Sequence, residues 1–175
     1  MRIDVERLTE AGKPFEHTYA PGELSLGDDS LRLASAVEVA GEVSRKGEQV
    51  RLGGKASTVV EAPCDRCLRP VALPVEILFD LRYVPAERGG ADEEAAELTE
   101  EDLNFSVYEG DAIDVDELVR EQVLLALPTR LLCSDECKGL CPVCGADLNK
   151  ETCACEQKEV DPRWAALAAL KQERE

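Results

Sequence analysis

The sequence predicts an α+β protein: an antiparallel β-sheet in the N-terminal half, an acidic loop, a helix, a cysteine-rich tail and a C-terminal helix. Three observations predict it. Val71, Leu73, Val75, Ile77, Phe79, Leu81 and Tyr83 fall on every second position, the period of a strand buried on one face. Val115, Leu118, Val119, Gln122 and Ala126 recur at helical spacing behind Asp114. Six cysteines crowd into residues 133–155, where no apolar periodicity runs. The chain divides accordingly into a β-rich domain at 1–85, an acidic loop region at 86–112, and a last part at 113–175. That last part carries the helix, the tail and the closing helix, packed on the first half.

Within the β-rich domain, Leu31, Leu33, Val37, Val39 and Val43 share one parity and predict a strand. Arg45-Lys46-Gly47-Glu48 supplies a turn, and Val50-Arg51-Leu52 begins the return. Gly53-Gly54 predicts a bulge or break before residues 56–62. The alternating run at 71–83 is the next strand. Pro74 sits on its opposite parity and marks an edge strand or bulge. Cys64-Asp65-Arg66-Cys67 lies between the two strands, so it occupies the tip of a hairpin.

The 175 residues carry 37 acidic and 20 basic side chains, a formal charge of -17. The charge is unevenly placed. Residues 86–119 hold 13 acids against one base, Arg88, a net of -12, whereas residues 1–85 come to only -3. Residues 87–97 are polar without periodicity and read as a solvated linker. A sharper reading makes them an acidic arm for a basic partner such as a ribosomal protein.

Asp114 caps the predicted helix, with Glu117 three residues on as reciprocal partner, and Pro128 ends it. Asp161-Pro162 starts the closing helix, a cap followed by proline at the first helical position. Trp164, Leu167 and Ala168 give that helix a stripe for core packing.

No basic N-terminal region precedes an apolar run, and no apolar run reaches the roughly 20 residues of a bilayer span. The expected location is the cytoplasm. There, eight cysteines read as metal ligands rather than disulfides. Cys141-Pro142-Val143-Cys144-Gly145 is a zinc-knuckle pattern, followed by Cys153-Ala154-Cys155 and preceded by Cys133 and Cys137. With His17 the only histidine, and placed in a polar segment that suits the surface, a zinc site would be all cysteine.

Eight thiolates divide evenly into two four-cysteine sites. The preferred division joins Cys141, Cys144, Cys153 and Cys155 on one ion. It joins Cys64, Cys67, Cys133 and Cys137 on the other, stapling the tail to the sheet. The competing division gives one ion to the tail and leaves Cys64 and Cys67 as free thiols. Either site is closed, so the zinc is structural. No Walker loop, dinucleotide fingerprint or nucleophile–histidine pair is present, and no catalytic residue or small-molecule substrate is assigned. A thiol oxidoreductase acting through Cys64 and Cys67 would need a βαβ setting, and here strands flank the pair.

Several segments together resemble one family. They are Cys64-Asp65-Arg66-Cys67-Leu68 before a strand, Glu121-Gln122-Val123-Leu124-Leu125-Ala126-Leu127-Pro128, the run Gly139-Leu140-Cys141-Pro142-Val143-Cys144-Gly145, and Asp161-Pro162-Arg163-Trp164. Their order over residues 55–171 resembles the YceD-like proteins, the large ribosomal RNA subunit accumulation proteins. The resemblance implies a non-enzymatic factor in ribosome assembly, needed for normal accumulation of large-subunit ribosomal RNA.

Two modes of action fit. In one, the protein contacts precursor large-subunit RNA or its particle through the nearly neutral β-half. Arg45, Lys46, Arg51 and Lys55 lie around one turn, and Arg66 and Arg69 flank the hairpin cysteines. In the other, an acidic adaptor built on residues 86–119 holds a basic ribosomal protein or a ribonuclease without touching RNA. The acidity excludes broad binding along a nucleic-acid backbone and adhesion to anionic membranes. Zinc analysis of the purified protein separates the cysteine divisions. Two ions per chain support the four-and-four division, one supports the competitor, and none overturns both.

Overall fold

The computed structural model describes residues 1–86 and 105–155. The acidic residues 87–97 and the expected closing helix from Asp161 lie outside the described residues. The described part is mostly β-sheet with one helix, broadly the predicted α+β class.

The main sheet contains β2 (Lys13–Tyr19), β3 (Arg32–Leu33), β4 (Val37–Lys46), β5 (Gln49–Pro63), β6 (Pro70–Pro85) and β7 (Phe105–Tyr108). Its order is β2-β4-β5-β6-β7, with β3 also beside β5. All pairs are antiparallel except β6 with β7, which run parallel over Arg82–Pro85 and Phe105–Tyr108. β1 (Arg2–Asp4) and β8 (Ala112–Asp114) form a separate two-stranded ribbon, and α1 (Val115–Ala126) follows directly.

β6 alternates as its sequence requires. Val75, Ile77, Phe79 and Tyr83 face the core, while Glu76, Leu78 and Asp80 face outward. β5 runs against it in unbroken register from Val50↔Tyr83 to Pro63↔Pro70. The break expected at Gly53-Gly54 does not occur. Gly54 lies opposite Gly41 of β4. A Cβ on Gly54 would stand 2.5 Å from the Ala40 carbonyl oxygen, and one on Gly41 2.3 Å from that of Gly53. The glycines therefore let two backbones approach closely, keeping the strand continuous.

The strand expected from Leu31 to Val43 is instead two pieces, β3 and β4, lying along β5. Ser35 separates them. Ala34 N–H donates to the Val59 carbonyl at 2.8 Å, and Val59 N–H donates to Ser35 Oγ at 2.9 Å. A side-chain oxygen thus replaces one ladder acceptor. Gly47, at φ +64°, turns β4 into β5 within two residues. At Pro74 the far side of β6 has no strand partner among the described residues, in line with its expected edge position. Part of the segment read as acidic loop is strand. β7 owes its place to backbone pairing with β6, and Val107 stays 57% exposed, so no side-chain alternation announces it.

α1 is capped as expected. Asp114 accepts from the N–H groups of Asp116 at 2.9 Å and Glu117 at 3.4 Å. The Glu117 carboxylate lies 3.3 Å from Arg120. The inward stripe is Val115, Leu118, Val119 and Val123. Expected members Gln122 and Ala126 are half-buried and exposed. Tyr19 O–H donates to Asp116 Oδ1 at 2.6 Å, tying β2 to the first turn of α1. Burial and the neighbouring carboxylates hold the Tyr19 hydroxyl well above its ordinary pKa. The core lies between one sheet face and α1, the β1–β8 ribbon and the stretch carrying Leu24 and Leu26. No helix among the described residues is long and apolar enough to cross a membrane.

Leu118 is 2% exposed and Leu125 78%. Leu118→Ala is expected to cost about 2–5 kcal/mol through the cavity it leaves. Leu125→Ala on the same helix should change stability by less than about 0.5 kcal/mol. Urea unfolding of both variants checks the assignment of the inward face.

Candidate metal centre

β5 and β6 carry their connecting loop far from the β4–β5 turn. At the tip, Cys64 N–H donates to the Arg69 carbonyl and Leu68 N–H to the Cys64 carbonyl. Leu68 adopts φ +59°, a left-handed conformation unusual for a leucine. The tail then returns to this tip. Asp65 N–H donates to the Leu131 carbonyl at 2.9 Å, and Leu131 N–H donates to Asp65 Oδ2 at 2.6 Å. That pairing delivers Cys133 and Cys137 to Cys64 and Cys67. The four sulfurs lie within 4.8 Å of one another. Cys64 Sγ is 3.8 Å from Cys137 Sγ, and Cys67 Sγ is 3.6 Å from Cys133 Sγ.

These separations test the fit to a metal. A disulfide needs sulfurs about 2.05 Å apart. A tetrahedral ion with bonds of about 2.3 Å to sulfur has edges of about 3.8 Å. The staple cluster matches the tetrahedron. Cys64, Cys67 and Cys137 are buried, and the partly buried Val71, Leu132 and Leu140 pack around them. The second group, the knuckle cluster, is Cys141, Cys144, Cys153 and Cys155, again within 4.8 Å. Cys141 is buried, Cys153 and Cys155 are half-buried, and Cys144 is exposed. Cys141 N–H donates to the Ala146 carbonyl, Gly145 N–H donates to the Cys141 carbonyl, and Gly145 takes φ +76° to close the turn. The structure thus brings the eight cysteines into the four-and-four grouping. It does not gather six in the tail and leave Cys64 and Cys67 apart.

Each cluster holds thiols of opposed tendency. Burial would raise Cys64, but N–H groups of Arg66, Cys67 and Cys133 pull it down to about 6. The N–H groups of Cys144 and Val143 lower Cys141 to about 6. Contacts with Cys137 and Cys67, then burial, push Cys133 up to about 12. Contact with Cys144, then burial, pushes Cys155 up to about 12. Four thiolates this close repel, and a divalent cation removes the conflict. All-sulfur tetrahedral sets suit zinc or iron among common metals. They leave no open position for a reacting water.

The clusters are tied together by groups that spacing alone did not single out. Arg66 Nη1 donates to the Cys137 carbonyl at 2.6 Å, and Leu140 N–H donates to the Arg66 carbonyl at 3.0 Å. Gly139, at φ +78°, passes so close that a Cβ there would stand 3.0 Å from the Arg66 carbonyl oxygen. Asn149 sits in the loop between Cys144 and Cys153. Its Nδ2 donates to Cys137 Sγ at 3.5 Å, and its Oδ1 accepts from Lys138 N–H at 2.8 Å. The sequence signal for Asn149 is only the Asx turn that Asp147-Leu148-Asn149 forms.

The six candidate basic residues do not form one patch. Arg45 and Lys46 stand at the β4–β5 turn, and Arg66 and Arg69 at the tip. β5 between them has 15 residues, a separation of about 45 Å. Arg51 forms a two-bonded pair with Asp80 at 2.7 Å on the outer face. Lys55 is exposed beside Ala40 and Leu78. Arg45 donates to the Gly47 and Val5 carbonyls, and Arg69 reaches Asp147 at 3.5 Å. His17 is half-buried in β2, its ring 4.4 Å from that of Tyr19, outside both cysteine clusters.

The family model described as large ribosomal RNA subunit accumulation protein YceD matches residues 52–171. The chain belongs to the YceD family. That match takes in the long hairpin, α1 and all eight cysteines of this YceD-family chain. An uncharacterised protein of Mycobacterium tuberculosis is 30% identical over 175 residues, covering 97% of this chain and 81% of that one. Uncharacterised protein YlbN of Bacillus subtilis is 30% identical, covering 89% of this chain and 86% of its own. The chloroplastic large ribosomal RNA subunit accumulation protein YCED homolog 1 of Arabidopsis thaliana is 29% identical over 78% of this chain and 49% of that one. No solved structure matches this YceD-family chain.

Zinc uptake by the metal-free protein should release protons at neutral pH, because Cys133 and Cys155 must lose theirs to bind. Affinity should rise with pH and fall more steeply below about 6, where Cys64 and Cys141 also protonate. Competition with a chelator across a pH series, with a proton-sensitive dye, checks this. A pH-independent affinity would exclude thiolate ligation.

Proposed function

We propose that this protein is a non-enzymatic factor that supports accumulation of large-subunit ribosomal RNA during ribosome assembly. Structural zinc, one ion in each cysteine cluster, holds its tail to its sheet. Its partner is the precursor large-subunit RNA or particle, and its place of action is the cytoplasm. The supporting observation is family membership across residues 52–171, a stretch that contains both clusters. The closed four-sulfur geometry supports a metal that shapes a surface rather than one that activates water. In this reading the tip and tail form one rigid end. Lys46 and Lys55, both exposed, are the cations best placed for RNA, since Arg51 is paired and Arg66 serves the staple.

A second reading has one specific observation in its favour. The outer sheet face bears a groove of about 890 Å³ bordered by Glu16, Glu38 and Glu76, with Lys55 and His17 the basic residues among its described lining. With the acidic segment 86–119, this suits an adaptor for a basic ribosomal protein or a ribonuclease.

In cells lacking the gene, the ratio of large- to small-subunit ribosomal RNA should fall. The wild-type gene should restore it, and Cys64→Ser/Cys67→Ser should not. An unchanged ratio in the deletion strain overturns the proposal. Lys46→Glu/Lys55→Glu should weaken crosslinking to RNA if RNA is the direct ligand. Deletion of 87–102 should weaken protein capture if the adaptor reading holds.

A further inference from the structure

The two clusters differ in the exchange they permit. Cys64, Cys67 and Cys137 are at most 7% exposed, and the tip and tail close around them. Metal leaves a thiolate site fastest when an incoming ligand can reach an exposed sulfur or the ion beside it. In the staple cluster only half-buried Cys133 offers that route. The knuckle cluster opens it through exposed Cys144.

They also share one structural element. The loop from Cys144 to Cys153 is bounded by knuckle ligands at both ends, yet its Asn149 points at a staple sulfur. Asn149 Nδ2 lies 3.5 Å from Cys137 Sγ. The loop holds this pose through Asn149 N–H and Nδ2, which donate to Asp147 Oδ1 at 3.1 and 2.8 Å, and Leu148 N–H, which donates to the Gly139 carbonyl at 3.0 Å. An ion on Cys144 and Cys153 pins both ends of the loop. Without it, the donor to Cys137 is held by these hydrogen bonds and that from Lys138 N–H alone.

We infer that the clusters form a metal hierarchy: the knuckle site exchanges, the staple site retains, and Asn149 makes occupancy of the first strengthen the second. This rests on the zinc reading above. Asn149 is a positioning residue, acting on the ion through the sulfur of Cys137. Groups hydrogen-bonded to ligands commonly change metal affinity by about 10–100-fold. Coupling of this kind is reciprocal, so a filled staple also tightens the knuckle.

The test uses the full chain loaded with zinc and challenged with a chromogenic chelator. Wild type should release one equivalent quickly and the second slowly. Cys144→Ser/Cys155→Ser should lose the quick equivalent and keep one zinc, held about tenfold more weakly than the slow one of wild type. Asn149→Asp keeps the acceptor for Lys138 N–H but loses the donor to Cys137 and to Asp147 Oδ1. It should retain the fold by circular dichroism, bind two ions, and weaken the staple site about tenfold. Asn149→Ala should behave alike. The hierarchy is overturned if the quick phase survives in the Cys144→Ser/Cys155→Ser protein. The coupling is overturned if staple affinity in Asn149→Asp equals that of wild type, even should the double variant fail to fold. Wild type that binds no zinc at all instead overturns the reading on which the inference rests.

Discussion

Four sulfur atoms within 4.8 Å of one another cannot all ionise readily without a cation among them, yet backbone N–H groups favour the thiolate of one of them, Cys64. That conflict is set at the tip of the β5–β6 hairpin, where, among the described residues, tail and sheet meet through buried side chains. Beyond residue 128, no leucine, valine, isoleucine or phenylalanine among the described residues is fully buried. Burying one such side chain stabilises by about 1.5–3 kcal/mol, whereas structural zinc contributes about 10–16 kcal/mol in small domains. Among the described residues beyond 128, only Cys137, Gly139 and Cys141 are buried, so hydrogen bonds to the tip and the cysteine clusters take the place of an apolar core there.

The sheet makes that closure possible by ordinary means. One face is covered by α1, the β1–β8 ribbon and the Leu24–Leu26 stretch, which gives the hairpin a rigid base. β5 and β6 then extend past β4, which pairs with β5 only as far as Ser57, and past β3, whose pairing ends at Glu61. The opposed glycines at 41 and 54 keep β5 unbroken along the way. α1 ends at Ala126, and Pro128 turns the chain toward Asp65, whose paired hydrogen bonds with Leu131 set the approach of Cys133. Register, helix length and a two-residue contact thus converge on four sulfurs.

The charge distribution fits a division of labour. Arginine side chains in the described residues go largely to internal tasks: Arg51 to Asp80, Arg32 to Glu61, Arg66 to Cys137. The outer sheet face keeps its carboxylates around the groove. Among the described residues, that face lacks the clustered cations that neutralise a phosphate backbone. The chloroplast relative named for large ribosomal RNA subunit accumulation is similar over 78% of this chain and 49% of its own length.

How much was legible varied with the physics involved. The β6 alternation and the Asp114 cap are local, so they were read directly. Gly53-Gly54 was misread because the crowding that demands glycine comes from β4, which no local pattern reveals. Ser35 breaks a strand by hydrogen-bonding across to β5, a long-range event. β7 was hidden since its register is set by backbone pairing with β6 and its burial does not alternate. The stripe of α1 ended at Val123 rather than Ala126 because the sheet, not the helix, decides where contact stops. For the site, spacing marked all eight cysteines, but Asn149 and the structural use of Arg66 depended on contacts across 12 and 71 positions. By itself the sequence determined the residue types: eight thiols in closely spaced pairs, a capped helix and an alternating hairpin. Only the tertiary structure decided which thiols meet. Pairing follows from where the hairpin tip lies relative to the end of α1, and that position is set by packing and register rather than by any neighbour along the chain.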